Sequence, residues 1–214
     1  MRVRSSIVPL AASALFGACA AVAVPEEQSY RLALPTTVAP YAQRAGTLRV
    51  CDLQLGTALA GDRLLQQAGV RLAARPLARW AAPLDRLVTD ALVLGLSRQR
   101  VCDLVKGSGD AGAETWSLHG RIVDFGEADA GQGPEARVTL ELWLEQAGEL
   151  VFQDEFAAVV PIATDGAAAD AAVAAWSRGV DQVVGSVVAR MQGLELFAAE
   201  RARRGVAATA VPPR

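Results

Sequence analysis

The chain has 214 residues, 52% of them hydrophobic and 21% charged, with a formal net charge of −2. That length suits one domain, and that composition can bury a substantial core. Charge that is mildly acidic and scattered along the chain argues against nucleic acid as a partner.

The first eighteen residues read as a secretory signal. Arg2 and Arg4 precede the apolar run from Ile7 to Phe16, and no acidic residue stands before Cys19. A positive start followed by a short apolar stretch has the layout of an export signal. The stretch is too short to span a bilayer, which takes about 20 apolar residues. Gly17 and Ala18 then lead into Cys19. This resembles the bacterial lipobox, in which the cysteine receives a diacylglycerol and becomes the first mature residue. Phe16 stands where a leucine is usual. Removal of Arg2 and Arg4 takes the 21 basic residues to 19 against 23 acidic ones, a net of −4. No later segment has 18 consecutive apolar residues, since Asp170 interrupts the Ala-rich run at 167–175. The lipid at Cys19 is therefore the expected membrane contact. Residues 20–29 (AAVAVPEEQS) form a tether that reaches at most about 35 Å.

The next elements follow from pattern and punctuation. Tyr30–Leu34 alternates and stops at Pro35, as a short strand does. Residues 35–46 are rich in Pro, Thr and Gly and form a loop. Thr47–Leu53 is a β-rich strand, and Arg63–Gln67 with Val70–Ala74 forms a hairpin through Ala68-Gly69. In RWAAPLDRLVTDALVLGL, Pro83 suits the first turn of a helix. Leu84, Leu87, Val88, Ala91, Leu92 and Gly95 recur at one helical face.

The pentapeptide RVCDL occurs at Arg49–Leu53 and again, just after that helix, at Arg100–Leu104. With Cys19 lipidated, Cys51 and Cys102 are the two remaining thiols, in an oxidising compartment. A zinc site would need more Cys or His ligands than these two and His119 supply. No C-x-x-C pair is present, and no third copy extends the repeat. Two buried free cysteines remain one reading, and a disulfide is the other. A strand–hairpin–helix–strand order places the two copies as parallel strands of one sheet. Neighbours in register would bring the cysteines within bonding distance. Closing the intervening loop would stabilise the fold by roughly 4 kcal/mol.

The second half is an antiparallel meander and a helix. Glu114–Glu127 is a long strand whose phase changes near Ile122-Val123, where a bulge fits. In Ala136–Gln146, Val138, Leu140, Leu142 and Leu144 point inward, while Arg137, Thr139, Glu141, Trp143 and Glu145 point outward. Ala147-Gly148 turns the chain into Glu149–Val160. A helix runs from about Gly166 to Leu196, with Trp176, Val180, Val183, Val184, Val187, Met191 and Leu194 on one face. Residues 198–214 form an Arg-rich mobile tail. The expected architecture is a single α+β domain over residues 30–197, with a mixed, mostly antiparallel sheet and two main amphipathic helices.

The lipobox, YRLALP after it, the LRV strand, the GDRL segment, the W-x-x-P-L helix block, the meander and the final amphipathic helix together resemble one family. It is the ABC-type transport auxiliary lipoprotein family, the PqiC-like lipoproteins. The likeness runs from Tyr30 to about Leu196. It implies an auxiliary or docking role beside an ABC ATPase, a permease and an MCE-domain protein that moves phospholipid or another hydrophobic molecule across the periplasm. It further implies a site on the periplasmic side of the outer membrane of a Gram-negative bacterium and a role in envelope integrity. Ala20, rather than Asp, after the cysteine favours the outer membrane. A homo-oligomer is compatible with this role.

The sequence offers no catalytic motif. There is no G-x-S-x-G and no H-E-x-x-H. His119 reads as a strand-face residue, and Asp52 and Asp103 as outward neighbours of their cysteines. No metal or cofactor is implied. Trp80 and Trp143 are candidate partner contacts, since interfaces favour aromatics. Trp80 reads more readily as a cap over the first helix than as such a contact. The alternative to a docking subunit is an autonomous envelope lipoprotein that binds a lipid or glycan in a groove between sheet and helix.

Overall fold

A computed structural model describes residues 26–35, 46–59, 61–68, 71–129, 131, 133–164 and 168–194. The signal segment, Cys19, most of the tether and the tail lie outside the described residues. In chain order the elements are β1 (Gln28–Tyr30), β2 (Thr47–Val50), β3 (Gln54–Leu55), a 3-10 turn (Thr57–Leu59), β4 (Arg63–Ala68) and β5 (Arg71–Trp80). Helix α1 (Leu84–Arg98), β6 (Leu104–Lys106), β7 (Trp116–Asp129), β8 (Pro134–Gln146), β9 (Glu149–Pro161) and α2 (Ala168–Gln192) follow. All nine strands among the described residues join one mixed sheet, and the domain is α+β as expected.

Strand β7 is the spine of the sheet. One of its edges pairs antiparallel with β8 along almost its whole length, and β8 pairs with β9. The other edge is shared in succession by β2, β3 and β4, all parallel to it. The register against β8 shifts between Ile122 and Asp124, so Val123 is the bulge that the phase change in the sequence signals. A bulge bends its strand and increases the local twist. Here it falls between the stretch of β7 that pairs with β2 and β3 and the stretch that pairs with β4. Outside the spine, β6 joins β2, β5 joins β4, and β1 joins β5.

Both helices cover the same face. Leu84, Val88, Leu92 and Leu96 of α1, with Trp176, Val180, Val183, Val184, Val187 and Met191 of α2, are buried in one core. They meet Ala136, Val138, Leu140, Leu142 and Leu144 of β8, which are fully buried. The helices touch each other at Gly95, where a Cβ would lie 2.8 Å from a Val184 methyl.

Four expectations are corrected. Residues 31–35 are not a strand. They leave β1 to cross the helices, where Ala33 N–H donates to Ser177 Oγ and Arg98 donates to the carbonyls of Leu34 and Pro35. The strand at Thr47 ends at Val50, because the chain leaves the ladder and Leu53 N–H donates to Thr89 Oγ1 of α1. The second RVCDL is mostly a turn: Arg100 takes a positive φ of 49° to reverse the chain after α1, and β6 begins only at Leu104. The two RVCDL segments do lie in parallel neighbours, but Arg49 is paired with Lys106 rather than with Arg100. That six-residue offset leaves the two RVCDL copies out of register, with Cys51 just past the end of β2 and Cys102 in the turn before β6. Cys51 and Cys102 are not joined by a disulfide.

Candidate functional site

Among the described residues the sheet face away from the helices stays open, and β7, β8 and β9 present alternate side chains there. Register fixes its rows. Cys51 N–H donates to Leu118 O at the end of β2, His119 lies opposite Trp143, and Trp143 lies opposite Gln153. His119 and Trp143 stack with ring centroids 5.8 Å apart and planes 8° apart. His119 Nε2 is 3.9 Å from Cys51 Sγ and 3.7 Å from Glu145 Oε2. One row along, Arg121 donates to Glu141 Oε2 at 2.5 Å and Gln153 donates to Glu141 Oε1 at 2.8 Å. Those two hydrogen bonds, Gln153's first, hold the Glu141 carboxyl below its usual range. Gln54, Arg121, Glu141, Trp143 and Gln153 line a shallow polar cavity of about 220 Å³.

A charged clamp closes the rim of this face. Arg49 donates to the carbonyls of Ser108, Asp110 and Gly112 and pairs with Glu114 at 2.8 Å. Lys106, almost fully buried, donates to Gly112 O and pairs with Glu114. Glu114 is pulled below its usual range, first by the hydrogen bond from Arg49. The loop at 107–114 is thereby fastened to β2.

The trio Cys51, His119 and Glu145 is not laid out for nucleophilic catalysis. A nucleophile and its base need hydrogen-bond reach, with a third group orienting the base from its other side. Here the thiol is within sulfur hydrogen-bond reach of the ring at 3.9 Å, but Glu145 faces the same ring nitrogen, so it does not orient the ring from its other side. Burial also pushes the Cys51 thiol up, against thiolate formation. Asp52 accepts from Ser108 and faces Arg86, while Asp103 accepts from Gly46 N–H, so the two carboxylates are not brought together. Among the described residues no three His, Cys, Asp or Glu side chains are placed to hold a metal.

The two candidate tryptophans separate. Trp143 stands on the open face, half-buried. Trp80 is 4% exposed and packs against Phe125 and Trp176, with centroids 5.8 Å and 5.5 Å away. It is a core residue under α2, neither a partner contact nor a cap on α1. Trp176 completes the cluster, its indole N–H donating to Gly126 O. Sequence reasoning put Glu141 on the outer face but did not join it to Arg121 and Gln153. The cross-strand register that joins them is not written in any one strand.

Two other cavities flank the helices. Tyr30, Ala33 and Pro35 face Val173, Ala174 and Ser177 of α2 across about 440 Å³ of mainly apolar space. Asp52, Pro83, Asp85, Arg86 and Thr89 line about 280 Å³ at the start of α1. The sheet–helix interface itself is filled by the core among the described residues. No described helix is long and apolar enough to cross a membrane.

The fold and face define a class, an α+β domain with one sheet face sealed by two helices and the other left open. The chain belongs to the ABC-type transport auxiliary lipoprotein component family, whose model matches residues 30–188. Among solved structures, the chain is similar to protein XCC0632 from Xanthomonas campestris, of the DUF330 family (19% identity, TM-score 0.66, covering 75% of this chain and 92% of that one). It is also similar to an uncharacterized protein (22% identity, TM-score 0.64, covering 78% and 99%). These likenesses show the fold. No curated protein matches the sequence significantly.

Proposed function

We propose that this lipoprotein is anchored by Cys19 to the periplasmic side of the outer membrane. There it serves as a docking subunit for the MCE-domain protein of an ABC-type lipid transport system and so supports envelope integrity. The carrying observation is the open outer face of β7, β8 and β9, which sets Trp143 beside a fixed Arg121–Glu141–Gln153 array. A rigid aromatic beside ordered polar groups suits recognition of another surface. The family supplies the transport context. The short tether supports a stationary role, since a domain held near one membrane cannot carry lipid across the periplasm and needs a partner that reaches it.

Crosslinking in intact envelopes tests the proposal. The wild-type protein should co-purify with the MCE protein, and Trp143→Ala should lower that recovery at unchanged protein level. Recovery of the MCE protein undiminished by Trp143→Ala removes this face from the interface. Additive permeability defects in a double deletion would argue for a separate pathway instead. Cys19→Ser should leave an unacylated precursor, and an acylated, processed mutant would overturn the anchor.

A second reading rests on the apolar cavity between residues 30–35 and α2. It gives an autonomous lipoprotein room for a lipid or glycan, although outside α2 rather than between helix and sheet. A stable complex with such a ligand in the absence of any MCE protein would favour it.

A further inference from the structure

We propose that the Arg71–Ala74 end of β5 is the membrane-facing end of the domain and rests on the phospholipid headgroups of the bilayer that holds the lipid. The inference relies on the anchor at Cys19 and adds to it an orientation and a contact surface.

The direction comes from strand pairing. β1 runs parallel to β5, with Gln28 opposite Ala78 and Tyr30 opposite Trp80. Traced backward from Gln28, the chain therefore leaves the fold on the side toward which β5 runs back to Arg71. Glu27 is held there by Arg63 at 2.7 Å and Arg79 at 3.4 Å. Nine residue steps lead from Gln28 back to Cys19, a reach of at most about 30 Å. From Ala78 back to Arg71 is seven residues, no more than about 23 Å of strand. An anchored Cys19 thus keeps the bilayer within reach of the Arg71–Ala74 end of β5.

The surface at that end suits a headgroup layer. Arg71 to Ala74 are all exposed, and Leu72 is 49% exposed opposite Gln67. Leu77 is 42% exposed and sits in the left-handed region at φ 57°, in the irregular stretch between the pairs Arg63–Arg79 and Leu65–Ala74. A bulky residue rarely adopts that conformation. It turns a second leucine outward beside the point where the tether enters. Arginine stems and isolated leucines are side chains that settle at a bilayer surface, the cation toward phosphate and the methyls toward the acyl boundary.

The far end supplies a matched control. Leu150 is 60% exposed and lies opposite Glu145, which lies opposite Ser117. Gln67 is level with Ala128. The step from Ser117 to Ala128 is eleven residues of β7, about 36 Å. Two exposed leucines therefore mark opposite ends of the molecule.

The test uses the acylated full-length protein with Cys51→Ser and Cys102→Ser, carrying either Leu72→Cys or Leu150→Cys with an environment-sensitive fluorophore. The vesicles are phosphatidylethanolamine and phosphatidylglycerol. A label at position 72 should be shielded from aqueous iodide several-fold more than one at 150. The unmodified lipoprotein gives a second readout: amide exchange over Arg71–Ala73 should slow on vesicles while that over Glu149–Val151 does not change. A protein that floats with vesicles but quenches equally at both positions, or is shielded at 150 instead, overturns the orientation alone. Shielding at 72 that needs an added protein and is absent on bare vesicles overturns it in favour of a protein contact. A protein that fails to float refutes the anchor, and this orientation with it.

Discussion

Trp80 and Trp143 are predicted to behave in opposite ways when cut to alanine. Trp80 lies at the centre of the Trp80–Phe125–Trp176 cluster, 4% exposed, between the sheet and α2. Replacing a buried tryptophan by alanine typically costs 3–5 kcal/mol through lost transfer energy and the cavity left behind, roughly. At about 2 kcal/mol per molar of urea, that moves the unfolding midpoint down by about 2 M. Trp143 is half-buried on the open face, with one ring stacked on His119. Its replacement should cost about 1 kcal/mol or less, within the range of a surface stack. Equilibrium urea unfolding by far-ultraviolet circular dichroism measures both. A Trp80→Ala protein as stable as wild type, or a Trp143→Ala protein that loses as much as Trp80→Ala, would refute the assignment of one to the core and the other to the binding face.

Four other tests have expected outcomes. Gly120→Ala would set a Cβ 2.7 Å from the Glu141 carbonyl oxygen across the β7–β8 ladder, a backbone contact that cannot swing away. A loss of about 1–3 kcal/mol in the same unfolding assay is expected, and an unchanged midpoint would contradict the close strand approach. Both Cys51 and Cys102 should alkylate quantitatively after denaturation without reductant, as cysteines not joined by a disulfide do. Burial raises the Cys51 thiol above its ordinary value. Its folded pKa then exceeds its unfolded one, so its contribution is intact below the unfolded value and is lost as pH rises through the folded one. Cys51→Ala should therefore flatten the alkaline fall of stability, and an identical alkaline limb would remove this contribution. Arg49→Ala should free the carbonyls of Ser108 and Asp110 and leave Gly112 O to Lys106 alone, so amide exchange over residues 107–114 should rise while β7 and β8 stay protected.

Periodicity made the second half of the fold legible. Alternation over β8 named the buried Val138, Leu140, Leu142 and Leu144, and a change of phase located the bulge at Val123. The heptad-like spacing of Trp176, Val180, Val183, Val184, Val187 and Met191 located the buried face of α2. These signals are local, and they survive because both ends of each element face one core. The first half was harder. Tyr30–Leu34 alternates like a strand, yet Leu32 and Leu34 serve instead as side chains of a segment laid over the helices. Trp80 ends β5 just ahead of the helix block, and no pattern in that stretch tells a core tryptophan from an exposed one. The outer face was legible only in part: alternation put Trp143 and Glu141 on it, but the link to Arg121 and Gln153 depends on the register of three strands.

The two RVCDL copies show why repeated sequence does not set register. In an antiparallel hairpin a short turn fixes which residues face each other. Between β2 and β6 there is no such turn; a hairpin, α1 and a reversal at Arg100 intervene. The reversal consumes Arg100 to Asp103, so the second copy enters the sheet only with its last residue, Leu104. The first copy enters from Thr47 and leaves it after Val50. Identical pentapeptides are thus used at opposite ends of their strands. Cys51 ends on the open face beside His119, and Cys102 is buried in the turn behind α1. Bringing the two copies into register would need one strand to slide by six residues. That would strip Lys106 from the clamp with Glu114 and the loop carbonyl of Gly112. A reduced-versus-oxidised comparison of the native protein should therefore show no shift in unfolding midpoint, and an oxidised form stabilised by several kcal/mol, on the order of a closed 50-residue loop, would overturn the six-residue register.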